Sequence, residues 1–424
     1  SQPARQGFGT SIANMGDWDG DGISEIAVSA AAGGLGVYGA YSNLWSSSDN
    51  GAVHILFMGS DGDPKSVAVI DKDTTNGPGS TALSGYGSGI ANIGDLDGNG
   101  VDDLAVGNHL TDSGRGAVYI HFMKSDGTLE KASVVIKNGV TNMPTLDASD
   151  EYGIDIANMG DLDGDGINDI AVGAWKDDDG GSNKGAVYIH YLNADGSIKT
   201  GTEKIKHADT NGPTLSGWGY GFAVENIGDI DGDGNNDIAV GEPNFASNPV
   251  GYMHIHLMGE DERPDATYRT NGYSSPFPGP HKSSSSYSQF GAGIANIGDH
   301  DGDGVNDIIV SAPHEGYADW GEGGYTTTMG RSQQDNRGNI YVMHLQSSGA
   351  GNVSVKDSYR IDYLTDNVPD YTGGEKNTAS GGAITKGHFG IAVENIGDVN
   401  GDGKEDLAVG IDAWENATKC TPSG

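Results

Sequence analysis

Short apolar runs closed by glycine return along this chain, as in Asp169-Ile-Ala-Val-Gly and Asp237-Ile-Ala-Val-Gly. Such runs are too short for a helix and read as buried strands. A second set reads Gly51-Ala-Val-His-Ile, Gly116-Ala-Val-Tyr-Ile, Gly185-Ala-Val-Tyr-Ile, Gly251-Tyr-Met-His-Ile and Gly338-Asn-Ile-Tyr-Val. A short turn follows, often Asp-Gly as at Asp61-Gly62, Asp126-Gly127 and Asp195-Gly196, which is a strong hairpin signal. Weaker strands come next, at Ser66 to Ile70, Ala132 to Ile136 and Val353 to Ile361. Nothing reads as a long amphipathic helix.

Ahead of each buried run stands an acidic nonapeptide, Asp-x-Asp/Asn-Gly-Asp/Asn-Gly-x-x-Asp/Glu, starting at Asp17, Asp95, Asp161, Asp229, Asp299 and Asp398. Each copy begins nine residues after an aromatic-glycine pair: Phe8-Gly9, Tyr86-Gly87, Tyr152-Gly153, Tyr220-Gly221, Phe290-Gly291 and Phe389-Gly390. A fixed offset across copies 66 to 99 residues apart means that a whole supersecondary unit is repeated. The unit has four antiparallel strands and cannot bury both its faces alone. Units must therefore stack, and radial stacking of such blades gives a β-propeller. The expectation is an all-β fold, one propeller over residues 1–424 with blades starting near residues 8, 86, 152, 220, 290 and 389. Six blades are expected, with seven as the alternative. The last should be incomplete, because the Gly-Ala-Val-Tyr strand occurs five times against six acidic loops.

The acidic loops carry the candidate chemistry. Alternate side chains at positions one, three and five of a tight loop can converge on one point, and glycines at four and six let the backbone fold around it. Such oxygen donors suit a hard divalent cation, and calcium better than magnesium, which keeps much of its water; zinc would want His or Cys. The first loop offers Asp17, Asp19, Asp21 and Glu25 with the Ile23 carbonyl, and the second Asp95, Asp97, Asn99 and Asp103 with that of Val101. The third offers Asp161, Asp163, Asp165 and Asp169 with Ile167, and the fourth Asp229, Asp231, Asp233 and Asp237 with Asn235. The fifth offers Asp299, Asp301, Asp303 and Asp307 with Val305, and the sixth Asp398, Asn400, Asp402 and Asp406 with Lys404. About six calcium ions are expected, one per repeat. An EF-hand loop starts the same way but needs a bidentate Glu at position twelve, where this chain has valine inside a strand. Asp-Gly turns are good hairpin turns by themselves, but a turn does not need three or four carboxylates that repel one another.

The order aromatic-Gly, then Gly-Asp-x-Asp-Gly-Asp-Gly-x-x-Asp-hydrophobic-Ala-Val-Gly, then Gly-Ala-Val-Tyr resembles the FG-GAP repeats of integrin alpha-subunit propellers. The third element of that name survives only in part, as Gly173-Ala174, Gly241-Glu242-Pro243 and Ser311-Ala312-Pro313. The resemblance covers nearly the whole chain and implies calcium in the loops.

Composition narrows the setting. A net charge of −37, from 23 basic and 60 acidic residues, argues against nucleic acid or an anionic membrane as partner. No apolar stretch is long enough to span a bilayer, so no membrane insertion is expected. Calcium loops of extracellular modules need about 0.1 to 1 mM metal, which places the chain outside the cell or on its surface. The single cysteine, Cys420, leaves the disulfide question open.

Three functions follow as expectations. The first is an adhesion or structural module, in which a homopolymer assembles head-to-tail through the incomplete last blade into a surface fibre. The second is a lectin, reading glycans with loop aromatics Tyr38, Tyr41, Trp45, Tyr273, Phe277, Tyr317, Trp320 and Tyr325; the same loops would suit a protein ligand. The third is an accessory domain of a larger secreted enzyme. The chain itself shows no nucleophile elbow, no His-Glu-x-x-His and no phosphate-cradling loop, so it reads as a non-enzyme. Histidines on the third strands, His54, His121, His190, His254, His256 and His344, read as packing between blades.

Overall fold

The computed structural model describes residues 7–31, 50–79, 83–244, 251–271, 288–315, 338–349, 351–361, 387–399 and 404–413. Blade 1 comprises β1 (Gly7–Asn14), β2 (Ile26–Ala31), β3 (Ala52–Met58) and β4 (Pro64–Ile70). Blade 2 comprises β5 (Tyr86–Asn92), β6 (Leu104–Asn108), β7 (Ala117–His121) and β8 (Val134–Lys137). Blade 3 runs β9 (Tyr152–Gly160), β10 (Asp169–Ala174), β11 (Ala186–His190) and β12 (Glu203–Lys206). Blade 4 runs β13 (Val224–Gly228), β14 (Asp237–Glu242), β15 (Tyr252–Met258) and β16 (Pro264–Thr270). Blade 5 runs β17 (Ile294–Asn296), β18 (Ile308–Ala312), β19 (Asn339–Ser347) and β20 (Val353–Ile361). In all five the strands pair antiparallel in chain order.

The expected count of six blades, or seven, is therefore corrected to five. The sixth repeat supplies the aromatic-glycine strand β21 (Gly387–Gly397) and the strand after the acidic loop, β22 (Asp406–Ala413), and these form a two-stranded sheet. It has no counterpart of the third and fourth strands among the described residues. The pair fills the gap between blades 5 and 1. Asn14 Nδ2 donates to the Asn395 carbonyl across that seam, and the Asn14 N–H donates to Glu394 Oε1.

The second strand of each blade is buried on both faces, which is why its sequence is a continuous apolar run rather than an alternating one. The fourth strand is the wet edge, as in β4, where five of seven residues are exposed. The core is a series of layers between neighbouring blades. One layer joins Val53 and Ile55 of blade 1 to Tyr86 and Val106 of blade 2; another joins Met253 and Ile255 of blade 4 to Val310 and Tyr341 of blade 5.

Glycine sets the closeness of these layers. A Cβ on Gly51, Gly116, Gly185, Gly251 or Gly338 would lie 1.9–2.1 Å from the carbonyl oxygen of the next repeat's aromatic residue. The second-strand glycines Gly107, Gly173 and Gly241 would meet the carbonyl of the following aromatic-glycine pair at 1.9 Å, and Gly410 would meet Gly9 at 2.3 Å, which carries the same contact across the closing seam. The glycines of the repeat are thus seam residues, required by main chain packing on main chain.

A second seam device was not foreseen. Six residues after each aromatic stands an asparagine, and the side-chain amide of Asn92 donates to the Asn14 carbonyl, Asn158 to Asn92, Asn226 to Asn158 and Asn296 to Asn226, at 2.9–3.1 Å. Each of these side chains also accepts the N–H of the glycine two residues on. The ladder surrounds one mouth of the central channel.

Deeper in the channel three carboxylates take the places of apolar residues, and each accepts a backbone N–H from another repeat. Asp155 accepts from Val224, Glu225 from Asn296, and Glu394 from Asn14. Burial pushes Asp155 up to about 7 and Glu394 up to about 8, and burial together with Glu394 raises Glu225. A carboxyl whose folded pKa lies above its unfolded value stabilises the fold below the unfolded pKa and loses that contribution as pH rises through the folded one. Glu394→Gln keeps the carbonyl that accepts from Asn14 and removes the charge. It should leave the melting temperature unchanged near pH 5 and raise it near pH 9; an equal effect at both values would mean that the charge does not matter there.

Candidate metal sites in the acidic loops

Each of the first five acidic loops joins the first two strands of its repeat and is wound around its own first aspartate. Asp17 Oδ1 accepts the N–H groups of Gly20 and Asp21, and Oδ2 accepts that of Gly22, at 2.8–3.0 Å. The same pattern holds around Asp95, Asp229 and Asp299. Gly20 and Gly22, with φ of 77° and 91°, occupy the left-handed region that a side chain would resist. The residue at position five then accepts the N–H of position seven, as Asp165 does from Ile167 and Asn99 from Val101.

Position nine is different in kind. Glu25, Asp103, Asp169, Asp237 and Asp307 are fully buried. Asp169 Oδ2 accepts the Leu162 N–H within the loop, while Oδ1 accepts the Leu192 N–H beyond the third strand. Asp103, Asp237 and Asp307 repeat this double bond. Burial pushes Asp103 and Asp237 up to about 7 and Asp169 up to about 6, and raises Glu25 and Asp307.

The loops bring their carboxylates together. One oxygen each from Asp17, Asp19 and Glu25 lies within 4.8 Å of the other two, and the same holds for Asp95, Asp97 and Asp103 and for Asp161, Asp163 and Asp169. Glu25 Oε1 and Asp97 Oδ1 are buried acceptors with no hydrogen-bond donor. A buried carboxylate oxygen without a donor costs free energy unless a cation meets it. The donor set therefore fits a hard divalent ion. In the sixth loop Asp406 accepts the Val399 N–H, and Lys404 is exposed; Asn400 and Asp402 lie outside the described residues.

Lysines near the start of the fourth strand were missed in the sequence. Lys65 bridges Asp19 and Asp21, Lys199 bridges Asp163 and Asp165, and Lys356 bridges Asp301 and Asp303, while Lys131 pairs with Asp97. These hydrogen bonds from lysine hold Asp21, Asp165 and Asp301 below the usual carboxylate range. Lys65 and Lys199 stand four residues after the aspartate of their Asp-Gly turns and Lys131 five after its own, so no fixed spacing marked them.

The third-strand histidines resolve into two kinds. His121, His190 and His256 are buried and each bonds a tyrosine of its own blade, Tyr86, Tyr152 and Tyr220, at 2.7–2.8 Å. Their hydrogen bonds lie within blades, as do the contacts of His254 with Glu242 and of His54 with the Phe8 ring. Burial drives His121 and His190 down to about 3, so they are neutral hydrogen-bonding struts. His344 instead meets His300 beside the fifth loop. The loop aromatics Tyr38, Tyr41, Trp45, Tyr273, Phe277, Tyr317, Trp320 and Tyr325, and Cys420, lie outside the described residues.

The family profile described as an FG-GAP-like repeat matches residues 95–172, from the second acidic loop to the strand after the third. Integrin alpha-PS5 of Drosophila melanogaster is 35% identical over 154 residues, covering 36% of this chain and 14% of that protein. Integrin alpha ina-1 of Caenorhabditis elegans is 29% identical over 250 residues, covering 56% of this chain and 20% of that protein. The chain thus spans a small part of the length of these relatives. The solved Dos1 propeller covers 84% of this chain, and this chain 63% of it, at a TM-score of 0.38 and 11% identity, a likeness too slight to carry an argument. Blades of four antiparallel strands, each with an acidic loop between its first two strands, define a repeat β-propeller. Over residues 95–172 the chain carries the FG-GAP-like repeat, and over longer stretches it is similar to integrin alpha chains.

Asp169→Asn places an amide nitrogen against one of two buried N–H donors. It should cost about 1–3 kcal/mol in denaturant unfolding even in chelator, because the loss is of a hydrogen bond between loop and third strand. Asp163→Asn, at the exposed lysine pair, should cost no more than about 1 kcal/mol under the same conditions. Equal costs for the two variants would refute the structural role given to position nine.

Proposed function

We propose that this chain is a calcium-stabilised adhesion module that works outside the cell. The observation that carries the reading is the convergence of carboxylates in the acidic loops, with Glu25 Oε1 and Asp97 Oδ1 buried and lacking donors. A divalent ion would meet those oxygens and keep the buried position-nine carboxylates ionised at neutral pH. The side chains at positions one, three, five and nine would hold it, with the position-seven carbonyl. Similarity to integrin alpha chains supports an adhesion role and a place at the cell surface. Among the described residues no helix is long and apolar enough to cross a membrane.

Calcium should raise the melting temperature over that in chelator, by an amount that grows with calcium concentration. Linkage gives about 2.7 kcal/mol for each site at a hundred times its dissociation constant. Identical melting in calcium and in excess chelator would remove the metal reading.

The two-stranded sheet of the sixth repeat favours one addition. Among the described residues β22 has no strand on its outer side, and an unpaired strand edge is a template for a further strand. Supplied by a second copy, that strand would give head-to-tail assembly, the geometry of a filament. Concentrated protein in calcium should form filaments visible by negative-stain electron microscopy; uniform single rings under those conditions would remove the fibre reading and leave the calcium reading standing.

A further inference from the structure

The fifth blade breaks a rule kept by the other four. At the second position of the acidic loop they hold Trp18, Leu96, Leu162 and Ile230; at the third-strand place facing that corner they hold Phe57, Phe122, Tyr191 and Leu257. Blade 5 has His300 and His344 at these two places. His300 is exposed and His344 only half-buried, so a corner that is apolar elsewhere here presents two imidazoles to water.

Their arrangement is specific. His300 Nδ1 and His344 Nε2 are 3.2 Å apart, with the rings stacked at 19°. An oxygen of Asp307 lies within 4.8 Å of both nitrogens. The far nitrogen of His344, Nδ1, is held at 2.7 Å by Asp357 Oδ1, from the residue paired with it on β20. Two ligands in tetrahedral array at zinc–nitrogen distances stand about 3.3–3.4 Å apart, so the nitrogen separation suits a shared ion. A carboxylate behind a ligating imidazole is the usual device for fixing its tautomer and direction. A hydrogen bond between the two rings accounts for their separation alone; it leaves the Asp357 brace without a role.

We propose that His300, His344 and Asp307 form a binding site for a transition-metal ion of the zinc type, braced by Asp357, with a remaining coordination position open to water. Imidazole nitrogen selects such ions over calcium, which takes oxygen donors. Asp307 also ends the fifth acidic loop, so its carboxylate would be shared, and the two imidazoles carry the selectivity. The proposal does not rest on the calcium reading.

Cobalt(II) reports the site through its visible absorption. Titrated into protein kept in millimolar calcium, one equivalent should give the intense bands of a low-coordinate nitrogen-ligated ion, and zinc should bleach them. His300→Leu and His344→Phe install residue types that other blades carry at these places and should abolish the bands while leaving melting in calcium unchanged. Asp357→Asn, at a side chain 61% exposed, should weaken cobalt binding by about ten- to a hundredfold without loss of the fold. Absence of the bands in the unaltered protein, or their persistence in both histidine variants, overturns the proposal. Loss of calcium-dependent melting would count against the acidic loops instead, and is read separately.

Discussion

Each complete blade depends on one buried carboxylate at the end of its acidic loop. In four of the five it accepts one N–H from the loop and one from the end of the third strand or the residues just after it, and so fixes the turn and the sheet to each other. Its burial is also its difficulty, since an ion out of water needs compensation, and two N–H dipoles supply only part of it. The rest of the loop is arranged around that need. The first aspartate winds the backbone with its own oxygens, the carboxylate at position three converges with those at one and nine, and a lysine supplies positive charge beside them. Structure and candidate chemistry are here the same set of atoms.

Much of this was legible in the sequence because the repeat writes it six times. The aromatic-glycine pair, the acidic loop and the Gly-Ala-Val-Tyr strand marked out the four-stranded unit, and the convergence of the loop carboxylates followed from their spacing. The number of blades was less legible, since six loops do not guarantee six full sheets. The first strands of blades 4 and 5 also start later than their aromatic-glycine pairs, at Val224 and Ile294, although Gly221 and Gly291 still donate to Gly241 and Ser311. Local hydrogen bonding there continues past the point where regular pairing stops.

What the sequence hid were contacts between repeats. The lysines on the loops, the asparagine ladder and the channel carboxylates each touch residues tens of positions away, and no local pattern announces such partners. His300 was hidden differently, because it stands inside a motif whose other residues already had an explanation. Its meaning appears only when His344, 44 residues on, is brought against it.

The glycine seams carry an implication for how such a ring closes. Where one blade meets the next, main chain packs on main chain at the glycines, from Gly51 against Tyr86 to Gly410 against Gly9. The apolar layers and the asparagine ladder add side-chain contacts across the same joints. Closure of the ring is thus decided where peptide planes meet, and a methyl group at any of these glycines would have to displace a carbonyl rather than a side chain.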